Sequence, residues 1–455
     1  MSIVDPISQI FLRLERRNQP MHVGGLQLFS IPEHAPADYV HQLVDRARAQ
    51  NAIQPPFDKR LKYRFGQPFW IEDHDFDMEY HVRHLALPEP GAIRDLLALV
   101  SMLHGGLLDR ARPLWEVYVI EGVTDNRFAI YTKFHHSMMD GISAMRVLRR
   151  FLSIDPGTEH FRVPWQLPPR AQARPRPWSA GLAMLQSGYR QAAALPGTAR
   201  SLYAAWYDAR HDPDFTGPAE APACILNRSV SGSRRFAAQG YSMTRIRRVA
   251  EAFGATVNDV VLALCSSALR RYLSDQDALP RAPLIAMLPV SLRDDDDDGA
   301  GNRVALIYAN LATDVADPAE RLAAIKRSVD YWKRRYKRMS AEQIMAMVAA
   351  MSAPAGLNLL SGLAPSHQSF NVVISNVPGP EDTLYFGDAE MLGMYPMSIV
   401  LDGQALNISL VSYRDTLEFG LMACRRAVPS VQNLLKYLDD ALDELEQTAD
   451  LPADS

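Results

Sequence analysis

The sequence predicts an α/β protein built from two domains. Apolar runs with strand character alternate with segments of helical periodicity, and such interleaving indicates a layered α/β architecture. The chain has 455 residues, more than one ordinary core requires, since domains cluster near roughly 100–200 residues. Its content of 47% hydrophobic and 22% charged residues is that of a globular protein.

Charge, cysteine content and hydropathy argue against a nucleic-acid-binding protein, a disulfide-bonded protein and an integral membrane protein. The net charge of −4 argues against general nucleic-acid binding. The cysteines at Cys224, Cys265 and Cys424 form no C-x-x-C pair, so a reducing compartment is expected. Charged residues interrupt the apolar N-terminus, and no uncharged apolar run reaches the roughly 20 residues that span a bilayer. We therefore expect a soluble or peripheral protein, not an integral one.

Helix and strand patterns alternate through the predicted N-terminal domain, residues 1–160. Asp5-Pro6 opens a short amphipathic helix. The further elements, in chain order, are a strand at 21–29, a helix at 39–50, extended chain at 76–87, a helix at 93–108, strands at 112–120 and 127–134, and a helix beginning near Ile142.

Residues 161–222 form a predicted linker and crossover. Prolines cluster before residue 178, and a helical stretch at 178–210 then combines large apolar residues with arginines. Pro196-Gly197 interrupts this stretch. It is either an interdomain crossover helix packed on the protein or an interfacial helix with apolar side chains in lipid and arginines at headgroups.

The C-terminal domain is predicted at residues 223–455. Gly254 closes its first helix, and Thr256 caps a long buried helix with Asp259 in the first turn. The later elements are strands at 284–292 and 302–312, a helix at 319–351, a strand at 370–380, a hairpin at 406–422 and a closing helix at 428–445. Five consecutive acids at 294–298 are expected to form a solvated loop.

The stretch Phe134–Gly141 reads F-H-H-S-M-M-D-G and lies between a predicted strand and a predicted helix. Successive side chains of extended chain point to opposite sides, so one of His135 and His136 can face a cavity while the other packs behind it. Asp140 can hold the turn, and Gly141 permits a backbone conformation that a Cβ would resist. Adjacent histidines are poor ligands for one zinc ion, so no metal is predicted.

The pattern H-H-x-x-x-D-G resembles the signature of an acyltransferase superfamily that includes chloramphenicol acetyltransferase, plant alcohol acyltransferases and peptide-synthetase condensation domains. In that superfamily the second histidine is the general base. The resemblance therefore implies that His136 is the base, that His135 supports it and that Asp140 is structural. A bare pair of histidines, without the rest of the pattern, would be better explained as two ordinary buried side chains.

Flanking segments narrow the resemblance. The runs D-P-I-S-Q-I-F, P-M-H-V-G-G-L, D-M-E-Y-H-V-R-H and R-P-L-W-E, followed by H-H-S-M-M-D-G, resemble the bacterial wax ester synthase/acyl-CoA:diacylglycerol acyltransferase family. The likeness extends from Asp5 to Leu445. It implies two chloramphenicol-acetyltransferase-like α/β domains with a tunnel at their interface.

The resemblance also implies roles outside the motif. Asn258 is expected to line the reaction chamber, whereas capping alone explains its neighbours Thr256 and Asp259. Arg293 is expected to pair with Asp140 as structural support.

Four further positions are expected to bind substrate. Ser375 and Asn376 lie in a segment that the family places near the domain interface, although both could be turn formers only. Pro113 and Trp115 belong to P-L-W, which by itself is an apolar entry into a strand and is usually core.

The implied reaction moves a long-chain fatty acyl group from acyl-CoA to a long-chain alcohol or to diacylglycerol, giving a wax ester or triacylglycerol. A hydroxyl is a weak nucleophile, so a base with a pKa near neutrality must take its proton as it attacks the thioester. No Gly-x-Ser-x-Gly elbow is present, so direct attack in a ternary complex is simpler than an acyl-serine route. Acyl-CoA is a substrate, and no cofactor is expected.

Two alternatives stay open. Condensation domains use the same motif to form amides, but we expect no adjoining carrier domain here. A non-catalytic lipid-surface protein could keep the fold, although intact His136, Asp140 and Gly141 argue for activity. The expected location is cytoplasmic, peripheral on the inner membrane face or on lipid inclusions. The expected partners are acyl-CoA, the acceptor and a lipid surface, without nucleic acid.

Overall fold

The computed structural model describes residues 1–168, 207, 210–218, 220–291, 304–361 and 368–451, and it contains two compact units. Unit 1 comprises Met1–Pro169, Ser229–Thr244 and Asn376–Leu435; unit 2 comprises Arg170–Arg228, Arg245–Ser375 and Lys436–Ser455. The sequence-based boundaries treat each domain as one continuous stretch. The units are interleaved instead, because strands from late in the chain pair with strands from its beginning.

The large sheet of unit 1 has six strands. In spatial order they are β12 (Tyr385–Phe386), β13 (Ala389–Met397), β2 (His22–Ser30), β7 (Arg127–His135), β6 (Trp115–Val123) and β5 (Val82–Ala86). Neighbouring strands are antiparallel except for the parallel pair of β5 and β6. The strand β13 pairs with β2, which places the segment 389–397 within the N-terminal sheet.

Helices pack on both faces of this sheet. They are α2 (Tyr39–Arg48), α3 (Met78–His81), α4 (Ile93–Gly105) and α5 (Gly141–Phe151), whereas α1 (Pro6–Leu14) packs through Leu12 in a separate cluster with Leu61 and Leu114. Apolar residues of α2 and α5 pack with Trp115, Val117 and Val119 of β6, whereas those of α4 pack with the alternate residues Tyr118 and Ile120. This alternation is the one that a strand buried on both faces produces.

Residues 76–87 are only partly extended, so the prediction for this segment is wrong in part. The carboxylate of Asp77 accepts hydrogen bonds from the backbone N–H groups of Glu79 and Tyr80, and this cap starts the short helix α3 before β5. A cap of this kind is local, whereas the apolar pattern around it is that of a strand.

Two further sets of strands belong to unit 1. A small antiparallel sheet has the order β1 (Ser2–Ile3), β4 (Gln67–Glu72), β3 (Lys59–Arg64). The strands β8 (Arg234–Ser242), β15 (Thr416–Cys424) and β14 (Leu406–Tyr413) also pair antiparallel. The hairpin of β14 and β15 turns at Arg414, with φ of 53°, which confirms the predicted hairpin.

Unit 2 contains helices packed with a short run of strands. The strands are β9 (Ile285–Ser291), β10 (Val304–Asn310) and β11 (Val372–Val377), and the helices are α6 (Met243–Ala252), α7 (Val257–Ser274), α8 (Pro318–Tyr336), α9 (Ala341–Ser361) and α10 (Asn433–Thr448). β9 pairs antiparallel with β10 and parallel with β11. Thr256 is the N-cap of α7 and Asp259 lies in its first turn, as predicted, and the two also form a reciprocal capping box.

The predicted single helix at 319–351 is two helices, α8 and α9. Ser340 and Gln343 exchange hydrogen bonds between side chain and backbone N–H, and this reciprocal cap begins α9. The apolar periodicity on both sides conceals the break.

Two predicted segments lie wholly or almost wholly outside the described residues: the stretch at 178–210 and the acidic run at 294–298. In the described part of the chain, no single helix is long and apolar enough to cross a bilayer, and one pair bent by 100°, α6 with α7, meets the test by length and composition only.

Candidate active site

His136 follows directly after β7. Its backbone N–H donates to the Met21 carbonyl at 2.8 Å, which holds the chain in place just beyond the end of the strand. The imidazole stacks on the ring of Phe11, with centroids 4.1 Å apart and planes 12° apart. The side chain is half-buried. A ring held on one face and partly accessible is suited to proton transfer.

The environment of His136 favours the unprotonated ring. Burial lowers the pKa of His136, while its own backbone carbonyl and the charge of Asp140 oppose that effect. The lowered pKa leaves the imidazole unprotonated at neutral pH, so one ring nitrogen keeps a lone pair that can accept a proton.

His135 has a different environment. It is fully buried, and its Nδ1 accepts from the Ser137 N–H at 3.0 Å and lies 2.7 Å from Ser137 Oγ. Nε2 therefore bears the hydrogen and lies 3.4 Å from Glu15 Oε1. The two histidines therefore have different environments, one fully buried and one half-buried, and their opposite orientations stay a prediction.

Glu15 is a site residue that sequence reasoning missed. Its Oε2 lies 2.9 Å from Arg110 Nη2, and its Oε1 accepts from the Met21 N–H at 3.3 Å. Burial would raise the pKa of Glu15, but hydrogen bonding and the charges of His135 and Arg110 hold it below its usual value. Glu15 thus fixes both the tautomer of His135 and the residue that binds the backbone of His136.

The helix α1 holds the motif loop. Ser8 Oγ donates to the Ser137 carbonyl at 3.0 Å, across 129 residues of sequence. Phe11 supplies the stacking ring, and Glu15 follows the last residue of the helix. Asp5 caps the helix by accepting from the Ser8 N–H at 2.9 Å. Three successive turns of one short segment therefore contact the loop that carries the histidines.

Asp140 is the N-cap of α5. Its Oδ1 accepts from the Ser143 N–H at 2.7 Å, which fixes the turn between the histidines and the helix. The prediction for Gly141 is wrong: it is the first residue of α5 with ordinary φ, and an added Cβ would meet no described atom within 4 Å. Arg293, the predicted partner of Asp140, lies outside the described residues.

Behind the histidines lies a buried ion pair. Lys133 Nζ is 2.9 Å from Glu116 Oε2, and the two residues are direct cross-strand partners in β7 and β6. Lys133 also donates to the carbonyls of Leu103 and Gly106 at the end of α4. Glu116 and Lys133 each lie beside apolar residues in a largely buried strand, and that pattern is the signal that could have identified the pair.

Two more histidines complete this buried layer. His22 is the cross-strand partner of His135, and its Nε2 lies 2.7 Å from the His104 carbonyl. Burial, with the charges of His104 and Lys133, lowers the pKa of His22 far below its usual value. Burial also lowers the pKa of His104, to about 3, so the imidazoles of His22 and His104 are unprotonated at neutral pH.

Trp115 belongs to the core, which corrects its predicted role in substrate binding. Its indole Nε1 donates to the Phe57 carbonyl at 2.9 Å, and its ring stacks on His81 and Trp165. Pro113 is buried as well. The P-L-W segment supports the start of β6 from inside the core.

The other predicted substrate residues are placed as follows. Asn258 is half-buried in the first turn of α7 and belongs to unit 2. Ser375 is half-buried in β11, and Asn376, the next residue, is exposed. Their contact with substrate stays a prediction. Within the described ranges, no group of three or more His, Cys, Asp or Glu side chains could hold a metal ion.

Two family profiles match the chain. The wax ester synthase/diacylglycerol acyltransferase catalytic domain matches residues 4–261, and the C-terminal domain of the same family matches residues 300–446. The chain belongs to this family. Its catalytic-domain match contains the whole of the histidine motif and the helix α1.

Curated relatives and a solved structure agree. The chain is 47% identical to O-acyltransferase WSD of Acinetobacter baylyi over 450 residues, which cover 98% of this chain and 97% of that one. It is 46% identical to the probable diacylglycerol O-acyltransferase tgs2 of Mycobacterium tuberculosis, covering 98% and 99% of the two chains. The wax ester synthase/diacylglycerol acyltransferase of Marinobacter aquaeolei VT8 superposes with a TM-score of 0.82 at 48% identity, covering 99% and 100%.

The first condensation domain of the calcium-dependent antibiotic synthetase is more distant, with a TM-score of 0.55 at 18% identity, and shows the fold alone. The protein has the chloramphenicol-acetyltransferase-like α/β fold predicted from its sequence. It is an acyltransferase that uses acyl-CoA and an alcohol or diacylglycerol, and the predicted function is confirmed.

Proposed function

We propose that His136 Nε2 is the general base of this acyl transfer. The observation that carries the proposal is the state of the ring: the His136 backbone N–H bonds to the Met21 carbonyl, Phe11 covers one face of the imidazole, and burial lowers its pKa. These three features leave an oriented, unprotonated imidazole, and we assign the base to Nε2 because it is the ring nitrogen farther from the main chain. Such a base contributes roughly 10²–10⁴-fold in rate.

The proposed step is a single displacement. Nε2 removes the hydroxyl proton as the acceptor oxygen attacks the thioester carbonyl, forming a tetrahedral oxyanion. The carbonyl re-forms as the carbon–sulfur bond breaks, and the leaving coenzyme A sulfur takes the proton from His136. The ester and free coenzyme A are the products, and the imidazole returns to its starting state. The thioester supplies the activated acyl group, so the proposed step uses no cofactor.

His135 and Asp140 are positioning residues in this proposal. Asp140 fixes the turn through the cap of α5, and His135 anchors the loop from behind through Glu15. Asn258, Ser375 and Asn376 stay candidates for polar contacts with the substrates.

We also propose that the enzyme works at a cytoplasmic lipid surface, either the inner membrane face or a lipid inclusion. Long-chain alcohols and diacylglycerol are poorly soluble in water, so an enzyme that acts on them gains by meeting its acceptor where the acceptor is concentrated. A preference for long-chain acyl groups is part of the same proposal.

The test is the release of free coenzyme A from palmitoyl-CoA, with hexadecanol, diacylglycerol or hexadecylamine as acceptor. His136→Ala should lower kcat by about 10²-fold or more, with little change in KM for palmitoyl-CoA. His41→Ala, a change at an exposed histidine on α2, is the matched control and should be fully active.

The assignment of the base is reversed if His136→Ala stays active while His135→Ala does not. If free coenzyme A is released faster with hexadecylamine than with hexadecanol, the enzyme forms amides and not esters.

A further inference from the structure

The hairpin of β3 and β4 presents an exposed phenylalanine in an unfavourable backbone conformation. Arg64 pairs with Gln67, so Phe65 and Gly66 form a two-residue loop, and their φ angles are 49° and 76°. This is the conformation of a type I′ turn, where Asn-Gly is preferred because a bulky residue is strained at positive φ. Phe65 is fully exposed. Because the side chain is fully exposed, no packing contact with the described residues compensates for the strain.

The strand register gives the small sheet an inner and an outer face. Leu61 of β3 is buried against a cluster with Leu114, so the alternate residues Arg60, Lys62 and Arg64 point outward. Across the sheet, the same outer face carries Phe69 and Ile71 of β4 and Ile3 of β1. A cationic row thus lies beside two apolar rows.

The outer face of this sheet combines exposed cations with exposed apolar residues. Lys62 and Arg64 are exposed, Ile3 is 64% exposed, and Met1 before it is 68% exposed. The outer positions of β1, β3 and β4 include no acidic residue. Arg60, the third cation of this face, is only half-exposed, and its Nε lies 3.2 Å from Asp73 Oδ1.

We propose that the outer face of the β1–β4–β3 sheet docks on an anionic lipid surface, with Phe65 inserted at the headgroup boundary. Cations beside exposed apolar and aromatic side chains match both parts of such a surface, the phosphates and the acyl chains. Single exposed apolar residues are ordinary, but these are grouped and one is strained. The inference rests on the lipid-surface part of the proposed function and assigns the contact to unit 1, independently of the stretch at 178–210.

The test is sedimentation of the full-length protein with phosphatidylcholine vesicles that contain phosphatidylglycerol or lack it. Phe65→Asn restores the preferred turn and should keep or raise the thermal midpoint while weakening binding at least about tenfold. Lys62→Gln with Arg64→Gln should weaken binding to anionic vesicles about fivefold per cation. That second effect should fade as salt rises.

Matched controls change exposed residues elsewhere. Met102→Asn alters a side chain on α4 that is 67% exposed, and Lys337→Gln with Arg338→Gln removes an exposed lysine and arginine after α8. Both controls should bind like the wild type. If Phe65→Asn lowers the thermal midpoint, the Lys62 and Arg64 variant decides the matter.

Wild-type binding by Phe65→Asn, or an equal loss in the controls, overturns the proposal. So does conversion of a dimer to a monomer by Phe65→Asn, because the face would then be a contact between copies. Coenzyme A release in detergent-dispersed hexadecanol is measured separately for each variant and should not change. A wild-type protein that sediments with vesicles but releases no coenzyme A would refute the catalytic proposal alone.

Discussion

Glu418 should make the protein less stable as pH rises. It lies in β15 with 3% exposure, and within the described part of the chain no lysine or arginine pairs with it. The Thr416 hydroxyl donates to its Oε1 at 2.8 Å, and interactions with Thr416 and Tyr395 lower the pKa of Glu418. Burial outweighs these interactions and raises the pKa to about 7.

The sign follows from proton uptake. Between pH 4.5, the pKa of an unperturbed glutamate, and about 7, the folded protein keeps the proton that the unfolded chain releases, so stability falls as pH rises through that window. At about 1.36 kcal/mol per pKa unit, the loss that is complete above pH 7 is about 3 kcal/mol. Glu418→Gln should remove this dependence and be more stable than the wild type at pH 8.

Urea unfolding at pH 5.5 and pH 8 measures the effect as a shift in midpoint. Glu381→Gln, a change at an exposed glutamate, is the control and should keep the wild-type dependence on pH. The reasoning is refuted if Glu418→Gln keeps that dependence too, or if it is less stable than the wild type at both pH values. Either result would mean that the carboxylate is charged and stabilised in the folded protein.

Three further outcomes are expected. Lys133→Met should lower stability by about 3–5 kcal/mol in urea unfolding, because it leaves Glu116 buried without its cation, and adding Glu116→Leu should recover much of the loss. Phe11→Ala should admit water to His136, raise its pKa, and shift the acid limb of the kcat/KM profile to higher pH; an unshifted profile contradicts a positioning role. Burial lowers the pKa of His81 to about 4, so the NMR signals of its ring should not titrate above pH 5. Because the unfolded chain takes up a proton that the folded His81 does not, the free energy of unfolding should fall by about 2 kcal/mol as the pH drops from 6.5 to 5.

Periodicity and capping predicted most elements because both are local. Asp5, Thr256 and Gly254 mark helix ends through the backbone groups beside them, and the structure has those ends. The same logic failed where a local cap interrupts an apolar pattern, as at Asp77 and Ser340. Nothing in periodicity shows that β13 pairs with β2, because register across several hundred residues is set by packing.

In the candidate site too, local features could be predicted from the sequence and long-range contacts could not. The motif itself supplied His135, His136 and Asp140, since their spacing is continuous in sequence. Glu15 and Phe11 could not be derived, because what distinguishes them is contact with residues far along the chain. In the sequence, Glu15 is one charge after an amphipathic helix and Phe11 is one apolar residue within it.

The arrangement around α1 explains how the proposed base, His136, can be both partly accessible and well placed. A histidine that must reach substrate cannot be held by packing on all sides, so its orientation has to come from the main chain and one ring face. The Met21 carbonyl, which accepts from the His136 N–H, supplies the first, and Phe11 supplies the second. Glu15 links the two by bonding the Met21 N–H and facing His135. The ring nitrogen proposed as the base can then accept the proton of the acceptor hydroxyl while the loop stays in place.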